Sequence, residues 1–242
     1  MERSLLWTAA MPNVNSADDQ RFDTVYPMGI RLISQRFWTP VAVARRAAEL
    51  FHRAGARHIL DVGSGVGKFV LAAAAASPKV DFLGVEQRAR LVDVARRART
   101  RLGISNARFQ VGDVTKMDWS AFDGVYLFNP LAENLFPEED TIDDRVELTK
   151  ARFLRDATRV ESALRRARIG TSIVTYHGAS TRIPASYELE ALEAAGTDLL
   201  RQWTKRRETD DGSYFIEADG GVVRHRAPTV NCFASSKSRV AS

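Results

Sequence analysis

Three glycines at alternate positions, set between a buried strand and a helix, constrain this chain more than any other feature. The segment Leu60-Asp61-Val62-Gly63-Ser64-Gly65-Val66-Gly67-Lys68 follows the apolar run His58–Val62 and leads into the helix-forming stretch Lys68–Ala76. Glycines so placed let the backbone turn sharply and leave no Cβ between main chain and ligand. The amides at the start of the following helix attract an anionic group. A triphosphate-binding loop would need Gly at 62 and Ser or Thr at 69, where Val62 and Phe69 stand. The dinucleotide fingerprint would need a small residue at 68 so that helix and strand can approach, and Lys68 occupies it. What fits is a G-x-G-x-G turn preceded by an acid, Asp61, although that acid could instead merely cap the helix.

The flanking sequence alternates between strand and helix. Helical spacing from Val41 to Ala54 stops at Gly55, and the strand 58–62 and helix 68–76 follow. Val80–Val85 reads as a strand, Leu91–Leu102 as a helix closed by Gly103, and Ala107–Val111 and Phe122–Phe128 as strands. Leu148–Ala167 is an amphipathic helix and Thr171–Tyr176 a further strand. This pattern predicts an α/β fold, a doubly wound and mostly parallel sheet with helices on both faces. Beyond it, Ser186–Ala195 reads as helix, and Asp198–Thr204 and Tyr214–Glu217 as two strands of a hairpin turning at Asp210-Asp211-Gly212. The chain is thus expected to comprise an N-terminal arm (1–36), one domain (37–226) and a loose tail (227–242).

Two more acids fall at the carboxyl ends of strands, where such sheets bind ligands. Gly84-Val85-Glu86 ends the second strand with a carboxylate able to accept both hydroxyls of a ribose. Gly112-Asp113 follows the third, suited to an adenine amino group. In this order, Asp61-Val-Gly63-Ser-Gly65-Val-Gly67, Glu86 and Asp113 resemble the cofactor site of class I, seven-stranded, Rossmann-like S-adenosylmethionine-dependent methyltransferases, over roughly residues 37–217. The resemblance implies a sheet ordered 3-2-1-4-5-7-6 and S-adenosylmethionine as cofactor. It implies that Gly63, Gly65 and Gly67 hold the methionine end, Glu86 the ribose, Asp113 the adenine N6 and Asp61 the ammonium.

Phe128-Asn129-Pro130-Leu131, after the fourth strand, is similar to the start of the [DN]-P-P-[YF] signature of nitrogen-directed methyltransferases. It implies that Asn129 and Pro130 orient a target amine, although Leu131 and Ala132 stand where proline and a stacking aromatic would be. Phe37-Trp38-Thr39-Pro40 resembles the T-P turn that folds over the cofactor in several amino-methyltransferases and Dot1-like lysine methyltransferases, which implies a cofactor contact for Thr39. His177, at the same sheet edge, reads as structural.

Composition narrows the rest. A single cysteine, Cys232, and four histidines exclude an intramolecular disulfide and offer no zinc-ligand spacing, so no metal is expected. The longest apolar run, Phe69–Ala76, is too short to span a bilayer, and the chain reads as cytoplasmic with no membrane partner. The net charge of +5 is unevenly spread: residues 40–110 carry 13 Lys/Arg and 5 Asp/Glu, whereas 111–147 carry 2 and 10. The acidic segment Glu138–Asp144 reads either as a solvated loop entering a helix or as a docking surface for a basic substrate, and in both cases it would repel phosphates at the mouth of the site. The expectation is therefore methyl transfer to an amino nitrogen of a basic protein or small amine, with nucleic acid disfavoured. The alternatives are a cofactor-binding module without catalysis and a nicotinamide-dependent oxidoreductase.

Overall fold

In the computed structural model, which describes residues 16–216 and 221–226, β1 (His58–Val62) runs through the middle of the main sheet. Its successive side chains enter opposite layers: Ile59 joins one hydrophobic cluster, Leu60 and Val62 the other. Parallel pairing carries the sheet from β1 outward to β2 (Asp81–Glu86) and β3 (Ala107–Val111) on one side. On the other side stand β4 (Gly124–Leu127) and β5 (Ser172–Tyr176).

A short β6 (Ile183–Pro184) leaves this sheet, and β7 (Tyr187–Ala195) and β8 (Asp198–Lys205) complete it. The strand β8 inserts antiparallel between β5 and β7. The order β3-β2-β1-β4-β5-β8-β7, counted over the strands of this sheet alone, is the expected 3-2-1-4-5-7-6. A three-stranded sheet of β6 with β9 (Gly212–Ile216) and β10 (Val222–Arg226) packs beside it.

Three short helices, α1 (Ala17–Asp23), α2 (Met28–Leu32) and α3 (Ser34–Phe37), form the described part of the N-terminal arm. The helices α4 (Val41–Arg53), α5 (Lys68–Ala76) and α6 (Ala89–Leu102) pack with Ile59, Phe82 and Tyr126 on one face of the sheet. On the other face α7 (Lys150–Arg166) packs Val160, Ala163 and Leu164 against Leu60, Val125 and Trp203. No helix among the described residues is long and apolar enough to cross a membrane. The expected tail, with Cys232, lies outside the described residues.

Two expectations are corrected. Ser186–Ala195, rich in Glu, Leu and Ala, has the propensity of a helix, yet 187–195 is a strand because pairing along β8 outweighs local preference. The hairpin partner of β8 is therefore β7, joined through Gly196 at φ +59°, and not the strand at 212–216. Asp210 explains the difference, since its carboxylate accepts the Ser186 N–H and pairs with Arg165, fixing the loop that sends the chain into the small sheet.

The arm is anchored by a buried ion cluster at the glycine turn. Lys68 is the first residue of α5, where the helix dipole disfavours a cation, and its side chain is buried. Its Nζ lies 2.9 Å from Asp19 Oδ1, 2.9 Å from Asp23 Oδ1 and 3.1 Å from the Ser34 hydroxyl. Burial alone would raise the Asp19 pKa, but the Val41 N–H, Lys68 and Ser16 outweigh it and hold the carboxyl below its ordinary range. The residue that rules out a dinucleotide fingerprint is thus the one that holds the arm.

Candidate active site

The glycine turn is tied to the end of β2, where Val85 O accepts the N–H groups of Gly63 and Ser64, each at 3.0 Å. Gly65 has φ +53°, and a Cβ there would lie 2.4 Å from Trp38 Nε1, so the Phe37–Pro40 segment rests directly on the glycine turn. A Cβ on Gly67 would lie 2.4 Å from the Phe109 ring, the close helix–sheet approach that glycine permits. The turn also reads the next strand, for the Gly65 N–H donates to Glu86 Oε2 at 3.2 Å.

Glu86 is buried, and its Oε1 accepts the Arg88 N–H at 2.9 Å. Burial raises its pKa, with Arg88 and the two backbone donors only partly opposing. Asp61 is buried as well; burial and then the charge of Glu86 push its pKa well up, and among the described residues it has no hydrogen-bond or ion-pair partner. Asp113 behaves differently. Its Oδ1 accepts the Thr115 N–H at 3.0 Å and the Thr115 hydroxyl at 2.7 Å, and Lys116 Nζ is 3.2 Å from Oδ2. Partial burial works to raise its pKa, and these partners outweigh it and hold the acid low.

One cleft at the carboxyl edge of the sheet is lined by Gly63, Gly65, Glu86, Asp113, Asn129 and Pro130. Three of the sequence-predicted residues stand outside its lining: Asp61, Gly67 and Thr39. Thr39 is turned inward, its hydroxyl 3.0 Å from that of Tyr126, whose ring stacks on Phe69 at 3.6 Å. From that turn Trp38 reaches the cleft instead.

Asn129, His177 and Ser180 are the non-glycine residues with positive φ among those described, at +42°, +53° and +54°. Such conformations are disfavoured and cluster at functional sites. They meet here: Asn129 N–H donates to Gly178 O at 3.2 Å, and Ser180 Oγ accepts the Leu131 N–H at 3.2 Å while its hydroxyl donates to Asn129 Oδ1. The amide oxygen of Asn129 thus accepts the Ser180 hydroxyl, and the residue lines the cleft. His177, read from sequence as structural, lines the cleft with Nδ1 2.7 Å from Asp198 Oδ2. Burial favours a higher Asp198 pKa, but His177 and the Leu199 N–H hold the acid low.

The roles of Arg88 and Glu133 are not legible in the sequence, because they depend on a pairing across 45 residues of chain. The Arg88 guanidinium, almost fully buried, contacts Glu133 at 2.8 and 3.0 Å and Asp143 at 2.8 Å. Arg90 reaches Asp143 at 3.1 Å, and Arg36 reaches Asp140 at 2.8 Å. Two of the five acids of the segment, Asp140 and Asp143, are thus paired within the molecule.

A family model described as a methyltransferase domain matches residues 54–188. A tRNA (guanine-N(7)-)-methyltransferase of Microcystis aeruginosa is 46% identical over 55 residues, 23% of this chain and 26% of the relative. One from Synechococcus sp. is 39% identical over 72 residues, 30% of this chain and 27% of the relative. The chain therefore matches about a quarter of the length of these curated relatives. An RNA methyltransferase from Salinibacter ruber, solved with S-adenosyl-L-homocysteine, shares the fold with TM-score 0.52 and 20% identity, covering 72% of this chain and 96% of that one. The expectation that disfavoured nucleic acid as a partner is overturned by the tRNA-directed relatives. Its physical ground weakens too, since Asp140, Asp143 and Glu133 face arginines rather than an incoming phosphate.

Proposed function

The chain belongs to the methyltransferase-domain family, a Rossmann-like enzyme that uses S-adenosylmethionine, and from that premise we propose that its acceptor is RNA and its target atom N7 of a tRNA guanine. The observation that carries this reading is the polarity of Asn129. With Oδ1 engaged by Ser180, the side chain offers an N–H donor. Guanine presents O6 and N7 as neighbouring acceptors on one edge, which such a donor suits. A donor on O6 sets N7 beside it.

The residues present suit the cofactor. Asp61, a buried acid without a partner among the described residues, suits a cation. Glu86 keeps a lone pair on each oxygen for ribose hydroxyls, because each oxygen accepts one backbone N–H. Gly63 and Gly65 line the cleft without side chains, and Asp113 lines it as well. S-adenosylmethionine supplies a methyl group on a sulfonium that departs as a neutral thioether, so no acid is required.

The guanine N7 lone pair attacks without losing a proton, so no general base is required either. Rate then depends on in-line positioning in a site with little water. Phe37, Trp38, Phe128, Phe136 and His177 line the cleft and offer flat faces for a base, the role that Leu131 and Ala132 do not fill. Carboxylates nearby favour the positive charge that the methylated base acquires. The test is incubation with radiolabelled S-adenosylmethionine and a cell extract separated into RNA, protein and small molecules. Label in RNA is expected; label in protein or small molecules alone would refute the reading.

A further inference from the structure

Beside the cleft, α7 carries a charge arrangement that the transfer chemistry does not use. Asp156 is 2% exposed, and three guanidiniums converge on its carboxylate. Arg152 Nε lies 3.2 Å from Oδ2, and Arg155 Nε and Arg159 Nη1 each lie 3.3 Å from Oδ1. Three cations share one anion, so the cluster keeps a positive excess. Arg152 is further occupied by Glu147 O and Gln87 Oε1. The side chains of Arg155 and Arg159 are 50% and 42% exposed, and Asp156 orients each through one nitrogen, which leaves other N–H donors facing solvent.

The ridge continues into the site. Thr181 donates its hydroxyl to Ala157 O at 2.8 Å, which places the exposed Arg182 next to this turn of α7, two residues from the Ser180 that holds Asn129. Arg152 and Asp156 themselves line the cleft. Planar guanidiniums oriented from behind by a buried carboxylate match phosphate oxygens in a way that mobile surface lysines do not.

We propose that Arg155 and Arg159, oriented by Asp156, form with Arg182 the surface on which the phosphate backbone of the acceptor docks, positioning the base to be methylated. This rests on the RNA reading above. The test measures binding of an unmodified tRNA transcript to the full chain between 50 and 200 mM salt, along with methyl transfer, for wild type, Arg155→Gln/Arg159→Gln and Arg182→Gln. Each lost phosphate contact should flatten the slope of log K against log salt by about 0.7–1. The double variant is expected to lose roughly tenfold or more in RNA affinity, on the scale of two charge-assisted contacts, and to keep wild-type affinity for S-adenosylhomocysteine. Arg155→Lys/Arg159→Lys should retain most of the slope. Should the double variant be unable to fold, Arg182→Gln, outside the Asp156 cluster, still reports a slope flattened by about one contact. Wild-type slopes in every variant, on RNA that is methylated, would overturn this surface alone. A wild type that neither binds nor methylates any RNA would overturn the acceptor reading with it. Poly-glutamate competing as well as RNA at equal charge would overturn the assignment to nucleic acid.

Discussion

Arg88 and Glu133 meet at two points, Nη1 to Oε2 at 3.0 Å and Nη2 to Oε1 at 2.8 Å. The same guanidinium holds Asp143, and the backbone N–H of Arg88 holds Glu86. One residue thereby connects the acid at the end of β2 with the segment that follows β4, and both line the cleft. Ordering of that segment and the position of Glu86 are coupled through this residue, its side chain holding the one and its backbone N–H the other.

Arg88→Met should therefore destabilise the fold strongly. It leaves the carboxylates of Glu133 and Asp143 without their buried partner, and breaking such a pair typically costs about 3–5 kcal/mol. Arg88→Lys should recover little, since an ammonium cannot reproduce the two-point contact. Urea unfolding reads this directly, and a wild-type midpoint for Arg88→Met would remove Arg88 from the role described.

Asp61→Asn should make the protein more stable and the cofactor site weaker. The folded pKa of Asp61 is raised by burial and Glu86. As pH climbs above its ordinary value of 3.8, the unfolded chain ionises first, and stability falls until the raised folded pKa is passed. The amide removes that penalty. The unfolding midpoint at neutral pH should rise by about 2–4 °C for each kcal/mol released, while affinity for S-adenosylmethionine drops. For wild type, that affinity should strengthen as pH rises through the same window, because the cation favours the ionised acid. A variant that is less stable yet binds normally would show that Asp61 has no part in cofactor binding.

Gly65→Ala should harm both packing and binding, because its Cβ would meet Trp38 Nε1 at 2.4 Å. Gly103→Ala provides a control at φ +66° with nothing within 4 Å, so it carries the backbone penalty alone, about 1–2 kcal/mol. Calorimetry should show S-adenosylhomocysteine binding reduced about tenfold or more for Gly65→Ala and unchanged for Gly103→Ala. Tryptophan fluorescence should shift to longer wavelength only in the former. Identical behaviour of the two variants would show that the glycine turn does not depend on Trp38.

Asn129→Ala is expected to bind the cofactor normally and transfer methyl about a hundredfold more slowly, the scale on which lost positioning is felt. Asn129→Asp, which substitutes an acceptor for the donor, should be slower still on guanine because it faces O6 with a like charge. Faster transfer by Asn129→Asp than by Asn129→Ala would support an amine acceptor against the present reading.

The glycine turn and the acids after β2 and β3 were legible in sequence because they are local: each lies at a strand end, and strand ends follow from short apolar runs. Strand order was legible through resemblance to a family. Contacts that join distant segments were not. Arg36 meets Asp140 across 104 residues and Arg88 meets Asp143 across 55, so the acidic segment reads as an open charged mouth although these two of its acids are paired. Lys68 looked like a mismatch to a motif because Asp19 and Asp23, its partners, lie in an arm with weak local signals. The aromatic faces were missed similarly, since Phe37, Phe128 and Phe136 converge from separate elements. At 187–195 the error was of another kind, a helix-favouring composition overridden by an available strand edge.

The most direct test of the central claim is identification of the methylated atom. Unmodified tRNA transcript, incubated with the protein and labelled S-adenosylmethionine, is digested to nucleosides and resolved by chromatography with mass detection. Label is expected in N7-methylguanosine, and none when the protein is omitted. Label confined to another base, to a ribose hydroxyl or to an exocyclic amine would contradict it.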